Sequence, residues 1–232
     1  MKTIFHSIKA GAPILTVNLR LSRHLSGRYA EMMLATGVSV WPTPTILPLS
    51  AWLKTIREAG WPESAVISEV RAAALWDAIV SGDSDISERD LLIPQGVVKA
   101  AFDAYRLMKE YRLKLPEDDL YLTDEARALK RWVVIYEDRL ERLGFVDPSE
   151  MTAELVRGIR AGVIKVPSEM ILAGFDEVTP SLELLIEAVE GQRGRVIFWP
   201  ERPVCLKGLP DAPVLEEKVH IYPCDNEKEE VV

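Results

Sequence analysis

The chain reads as an α/β protein whose mostly parallel sheet is interrupted by a long helical block, and three observations predict it. Short apolar runs lie towards both ends: Pro13-Ile14-Leu15-Thr16-Val17, Glu169-Met170-Ile171-Leu172-Ala173-Gly174-Phe175 and Arg195-Val196-Ile197-Phe198-Trp199. Continuous runs of this length are the mark of strands buried on both faces, and their alternation with helical segments implies a parallel sheet. Between them, residues 50–163 hold one helical pattern after another. The expected division is therefore a discontinuous α/β domain over 1–49 and 164–232 with a helical insertion over 50–163.

Each element has its own local reason. Asn18 is a candidate N-cap for a helix in which Leu21, Leu25, Tyr29 and Met32 recur on one face, and Gly37 ends it. Pro42, Pro44 and Pro48 keep the following stretch extended and exclude it from the centre of a sheet. Ser50 is expected to cap a helix to Ala59, and Ser68 one over Glu69 to Val80 with Val70, Ala74 and Ile79 near one face. Gln95 to Leu113 carries Val98, Phe102, Tyr105, Leu107 and Met108 at helical spacing. Thr123 opens a helix with Leu129, Trp132, Val133, Tyr136 and Leu140 that stops at Gly144, and Asp147-Pro148 opens another over Met151 to Ala161. Ser181 to Val189 reads as a helix, and Val219-His220-Ile221-Tyr222 as a further strand. Asp225 to Val232 carry a helix start and an acidic first turn and then end, which predicts a chain that continues beyond them.

Composition narrows the function classes. With 232 residues, 48% hydrophobic and 28% charged, 15 Pro and 13 Gly, collagen-like, disulfide-scaffold and wholly disordered chains are excluded. No run of 18 uninterrupted apolar residues occurs, so no membrane span is expected. No apolar run of signal-peptide length precedes Lys9, and Cys205 and Cys224 cannot form a framework; a cytoplasmic location follows. The net charge of -8 argues against a general nucleic-acid binder. It is, however, unevenly spread: residues 1–30 carry Lys2, Lys9, Arg20, Arg23 and Arg28 with no acid, and the remaining 23 basic and all 36 acidic residues follow.

Two places could carry chemistry. The apolar strand ending in Asp176-Glu177 resembles how P-loop NTPases set one carboxylate near Mg²⁺ and another near the attacking water, the alternative being an acidic helix start that meets only the helix dipole. Against nucleotide hydrolysis, no G-x-x-x-x-G-K-[ST] occurs, and the turn after the first strand, Asn18-Leu19-Arg20, has no glycine. Arg20, Arg23, His24 and Arg28 on the first helix can meet backbone phosphates, or form a solvated face. Other patterns are weaker. Asp211 with Glu216-Glu217-Lys218 is too closely spaced for a metal-dependent nuclease, His220 and Cys224 fall short of a zinc ligand set, and His6 and His24 lack a neighbouring nucleophile motif. Phe102, Tyr105, Tyr111, Trp132 and Tyr136 read as core aromatics.

Three segments in order, Leu15 to Leu25, Val40 to Leu53 and Leu172 to Pro180, resemble the amino-terminal part of bacterial PD-(D/E)XK-type DNA repair exonucleases, similar to the B subunit of AddAB-type helicase-nucleases. The resemblance covers about residue 13 to the end. It implies a superfamily 1 helicase-like, RecA-like domain with a helical insertion, a nuclease domain far towards the carboxyl end of a longer protein, Thr16 to Arg23 at the region touching single-stranded DNA, and Asp176-Glu177 at the Walker B position. Walker A is absent here, and so is any nuclease motif.

The expected function is a non-catalytic DNA-handling or scaffolding module in double-strand break processing, with Asn18, Arg20, Arg23, His24 and Arg28 as DNA contacts. Its partners would be single-stranded DNA or a duplex end held through the backbone, the carboxyl-terminal nuclease half and a helicase subunit, with no membrane. No cofactor is expected for these residues, and Mg²⁺ for the full-length nuclease. The alternatives are a nucleotide hydrolase with a divergent phosphate loop, using Asp176 and Glu177, and a protein-interaction module built on the helical block.

Overall fold

In Ile14–Thr16 (β1) all three residues are buried, because the strand is flanked on both sides by others. The computed structural model describes residues 7–8, 11–60, 63–83, 95–116, 118, 120 and 122–200. Within them, β1 pairs in parallel with Ile46–Pro48 (β2) on one side and with Glu169–Ala173 (β5) on the other, and β5 pairs with Arg195–Trp199 (β6). The order β2-β1-β5-β6 places Ile14 between Ile46 and Ile171, so strands from either side of the helical block lie next to each other. Pro48 ends the edge strand, where a missing backbone donor costs least.

Alternate residues along each strand go to different cores, as the pleat requires. Leu15, Met170 and Leu172 join Trp52 and Leu53 of Leu49–Ala59 (α2), Leu155 and Ile159 of Met151–Arg160 (α6), and Leu182 and Leu185 of Pro180–Gly191 (α7). Ile14, Ile46, Ile171 and Ala173 instead meet Ile8 and Leu25, Tyr29 and Met33 of Leu19–Ala35 (α1). Helices thus cover both faces, which is why the strands read as unbroken apolar runs.

A third core is purely helical in its centre. Trp76 of Glu69–Ser81 (α3) is fully buried among Phe102 and Tyr105 of Gln95–Glu110 (α4) and Tyr136 of Asp124–Arg142 (α5), with ring centroids 5.9, 5.7 and 4.9 Å away. Such offset and edge contacts between aromatic rings are favourable beyond the area they bury. A two-stranded parallel ladder, Ala65–Val66 (β3) with Phe145–Val146 (β4), closes the base of this core. The first and last helices of the 50–163 block, α2 and α6, pack on the sheet, so the separate helical core runs from Ile67 to Phe145.

The helix starts at Ser68, Thr123 and Asp147 are as the sequence predicts, each side chain accepting from a backbone nitrogen of the first turn. Asp147 opens a 3-10 turn, Pro148–Glu150, that leads into α6. Gly144 ends the α5 connection at φ +68, a conformation that L side chains rarely adopt. Four expectations are corrected. Ser50 does not cap: β2 runs straight into α2 at Pro48, which leaves Ser50 inside the first turn. The buried stripe of α3 is Ala72, Trp76, Ile79 and Val80, while Val70 is 81% exposed, because the indole dictates which side turns inward. Leu107 of α4 faces outward, while on α1 Met32 packs against the expected face and Met33, outside that expectation, is the more buried methionine. The strand at 169 stops at Ala173, and α7 starts at Pro180 under a Thr179 cap. The expected strand Val219 to Tyr222 lies outside the described residues, as do Lys2, His6, Lys9, Cys205, Asp211, Glu216, His220 and Cys224. Among the described residues no helix is long and apolar enough to cross a membrane.

Candidate phosphate-contacting face

Only Val17 and Asn18 separate β1 from α1. This short link is fixed by its own hydrogen bonds. Val17 N donates to Ala173 O at 3.1 Å, the buried Thr16 hydroxyl donates to Asn18 O at 2.8 Å, and Asn18 Oδ1 accepts from Leu21 N at 2.9 Å. A phosphate loop needs a glycine-rich turn long enough to wrap the anion with backbone nitrogens. Here two residues span the gap, and one of the first helical nitrogens is already occupied by Asn18.

The rotation of α1 is set by what lies beneath it. Ser22 is buried and donates to Ile46 O at 2.8 Å, tying the helix to the edge strand, and Leu25, Tyr29 and Met33 continue that stripe. Arg20, Arg23 and His24 are thereby turned outward. Residues three and four apart stack along one helix face, so these three side chains stand together on the first turns. None has an acidic partner among the described residues. Arg28 extends the same row but bonds Glu31 Oε2 at 2.8 Å on the exposed surface. Asn18 stands at the foot of the row, with its carboxamide oxygen engaged in the cap and its NH₂ group left as a donor.

The second predicted motif reaches the same edge of the sheet. After β5 the chain turns at Gly174, with φ +77 and its N–H donating to Trp199 O at 2.9 Å. A Cβ at Gly174 would lie 2.6 Å from Leu21 Cδ2 and 3.3 Å from Val17 Cγ1, so this turn and the start of α1 are in direct contact. Asp176 and Glu177 follow as exposed residues on the bend. Glu177 Oε1 accepts from Tyr111 OH at 2.8 Å, and that bond holds the Tyr111 phenol above its ordinary range. Because β5 stops at Ala173, Asp176 stands three residues beyond the strand. Among the described residues, no group of three or more His, Cys, Asp or Glu side chains is placed to hold a metal ion.

A cavity of about 480 Å³, not expected from the sequence, lies beside the helical core, lined among others by Lys109, Glu137, Asp147, Glu150, Glu154 and Arg157. Its charges are contributed by elements far apart in the chain, which hides the cluster from any spacing rule. Burial pulls the Lys109 ammonium down, but hydrogen bonds to Glu137, at 2.7 Å, and to Glu150 outweigh it and raise the group. Burial also pushes the Tyr105 and Tyr136 phenols well above their ordinary range, with the Asp147 carboxylate adding to both. Asp147 itself is fully buried and accepts from Tyr136 OH at 2.8 Å and from Ser149 N and Oγ. Lys109 thus meets two of the carboxylates, Glu154 is met by Arg57 from α2, and Asp147 is held by neutral donors.

The chain matches no protein-family model, and no curated protein matches it.

Proposed function

We propose that this chain is a non-catalytic, helicase-like DNA-handling and scaffolding module of the PD-(D/E)XK DNA repair exonuclease type, acting in double-strand break processing in the cytoplasm. Its sheet would be a RecA-like one with residues 50–163 as the insertion. The observation that carries the reading is the trio Arg20, Arg23 and His24, exposed and without acidic partners among the described residues, on α1 where it leaves the carboxyl edge of a parallel sheet. Ligands of open α/β sheets gather at that edge, and guanidinium groups bind phosphate oxygens without reading sequence.

The net charge of -8 is no obstacle at contact distance. Screening in physiological salt limits each charge to about 8 Å, so the local row decides. A single strand or a duplex end held by its backbone fits such a row, with a helicase subunit and the nuclease half as protein partners. Mg²⁺ belongs to the nuclease chemistry and not to these residues, and the two-residue β1–α1 link supports no ATP-driven step.

The test is anisotropy of a labelled single-stranded oligonucleotide. The two arginine contacts predict an affinity that falls roughly 7-fold between 50 and 200 mM salt. Arg20→Glu with Arg23→Glu abolishes binding, and binding unchanged by that pair of reversals refutes the site.

A further inference from the structure

The last turn of α4 meets four other parts of the fold. Lys109 Nζ bonds Glu137 of α5 and Glu150 of the 3-10 turn, Lys109 O accepts from Ser181 Oγ at the start of α7 at 3.0 Å, and Tyr111 OH donates to Glu177 Oε1 at 2.8 Å. The helix closes at this point. Tyr111 N donates to Leu107 O and Leu113 N to Met108 O, both at 2.8 Å, while Arg112 takes φ 55, a left-handed conformation uncommon outside glycine.

From this junction we infer that Glu177 is a positioning residue: through Tyr111 it fastens the bend after β5 to the end of α4, so that the carboxyl edge of the sheet and the helical core open as one unit. This goes beyond the phosphate-contact reading and does not depend on it. The segment from 174 to 182 is pinned four times, by Gly174 N on Trp199 O, by Tyr111 on Glu177, by the Thr179 cap on Leu182 N, and by Ser181 on Lys109 O. Two of the four come from Lys109 and Tyr111, only two residues apart across the end of α4. An exposed hydrogen bond alone is weak, because ordering its two side chains cancels much of its gain. Here the part-buried Ser181–Lys109 bond already holds the backbones in place, so the Tyr111–Glu177 bond adds to a geometry that is ordered without it.

In this role Glu177 is a hydrogen-bond acceptor, and its charge is dispensable. Glutamine keeps an acceptor oxygen; alanine does not. That difference separates a positioning carboxylate from one required as a base or a metal ligand.

Amide hydrogen exchange on the full chain tests the inference, comparing Tyr111→Phe, Glu177→Ala, Glu177→Gln and the double variant Tyr111→Phe/Glu177→Ala. The expected result is exchange at least about threefold faster at Leu113 and at Leu182 together, in both Tyr111→Phe and Glu177→Ala, with the double variant no faster than either. Glu177→Gln should stay within about twofold of the parent while its Tyr111 phenol titrates closer to 10.0, the ordinary value. Acceleration confined to the element carrying the substitution, additive effects in the double variant, or a Tyr111 titration unmoved by Glu177→Gln would each overturn it.

Discussion

Arg57 of α2 and Glu154 of α6, 97 residues apart in the chain, meet with Nε 2.7 Å from Oε2. The Arg57 side chain is only 3% exposed, and its remaining nitrogens donate to Ser64 O and Ser64 Oγ at 2.8 and 2.7 Å. One guanidinium thus fixes two sheet-packing helices and the strand that opens the helical core. Because its donors are met, the buried charge is tolerated; removing one partner leaves the other stranded. Arg57→Ala is expected to lower stability by about 3 kcal/mol in urea unfolding, and Arg57→Lys to recover little, since an ammonium cannot reproduce the fork.

Alkaline pH provides a second test. The Tyr105 and Tyr136 phenols are raised in the folded state by burial first and by Asp147 next. A raised folded value means the folded chain holds these protons more tightly than the unfolded one. Their contribution is therefore complete below pH 10.0, the ordinary tyrosine value, and is lost as the pH climbs beyond it, where the unfolded phenols ionise first. Urea unfolding at successive pH values should show stability falling above that point, with a shallower fall in Tyr136→Phe. That variant should also lose about 2 kcal/mol at neutral pH, having left the buried Asp147 short of a donor.

Gly174→Ala tests the contact between the two motifs at the sheet edge. The new Cβ meets Leu21 and Val17 at a backbone φ of +77, and although the Leu21 terminus can move aside, the left-handed conformation remains strained. A loss of about 1–2 kcal/mol is expected from thermal unfolding.

Glu31→Gln tests the phosphate face in the gaining direction. It releases Arg28 from its exposed 2.8 Å pair and removes a negative charge from the row. Oligonucleotide affinity should rise a few-fold, with a salt dependence steeper by about 0.7 for the one added contact. Affinity and salt slope unchanged in this variant would show that Arg28 is not part of the face.

Periodicity and capping residues by themselves determined the strands at 14, 169 and 195, the helices opened by Asn18, Ser68, Thr123 and Asp147, and the adjacency of Arg20, Arg23 and His24, because each depends on residues within a turn or two of one another. Those signals are local, so they survive in a linear reading. Tertiary structure decided the rest. The discontinuous sheet is already expected, but the strand order and register that set Leu15 between Leu47 and Leu172 come from the fold alone. Trp76 chose the inward face of α3 over the pattern of Val70 and Ala74, since burying one indole outweighs two small side chains. The long-range contacts of the candidate residues come from the fold as well. Glu177 looks equivalent to its neighbour in sequence, yet it is bound to Tyr111, and a bond across 66 residues leaves no trace in local spacing, whereas the Arg28–Glu31 pair, three residues apart on α1, follows from helical spacing alone.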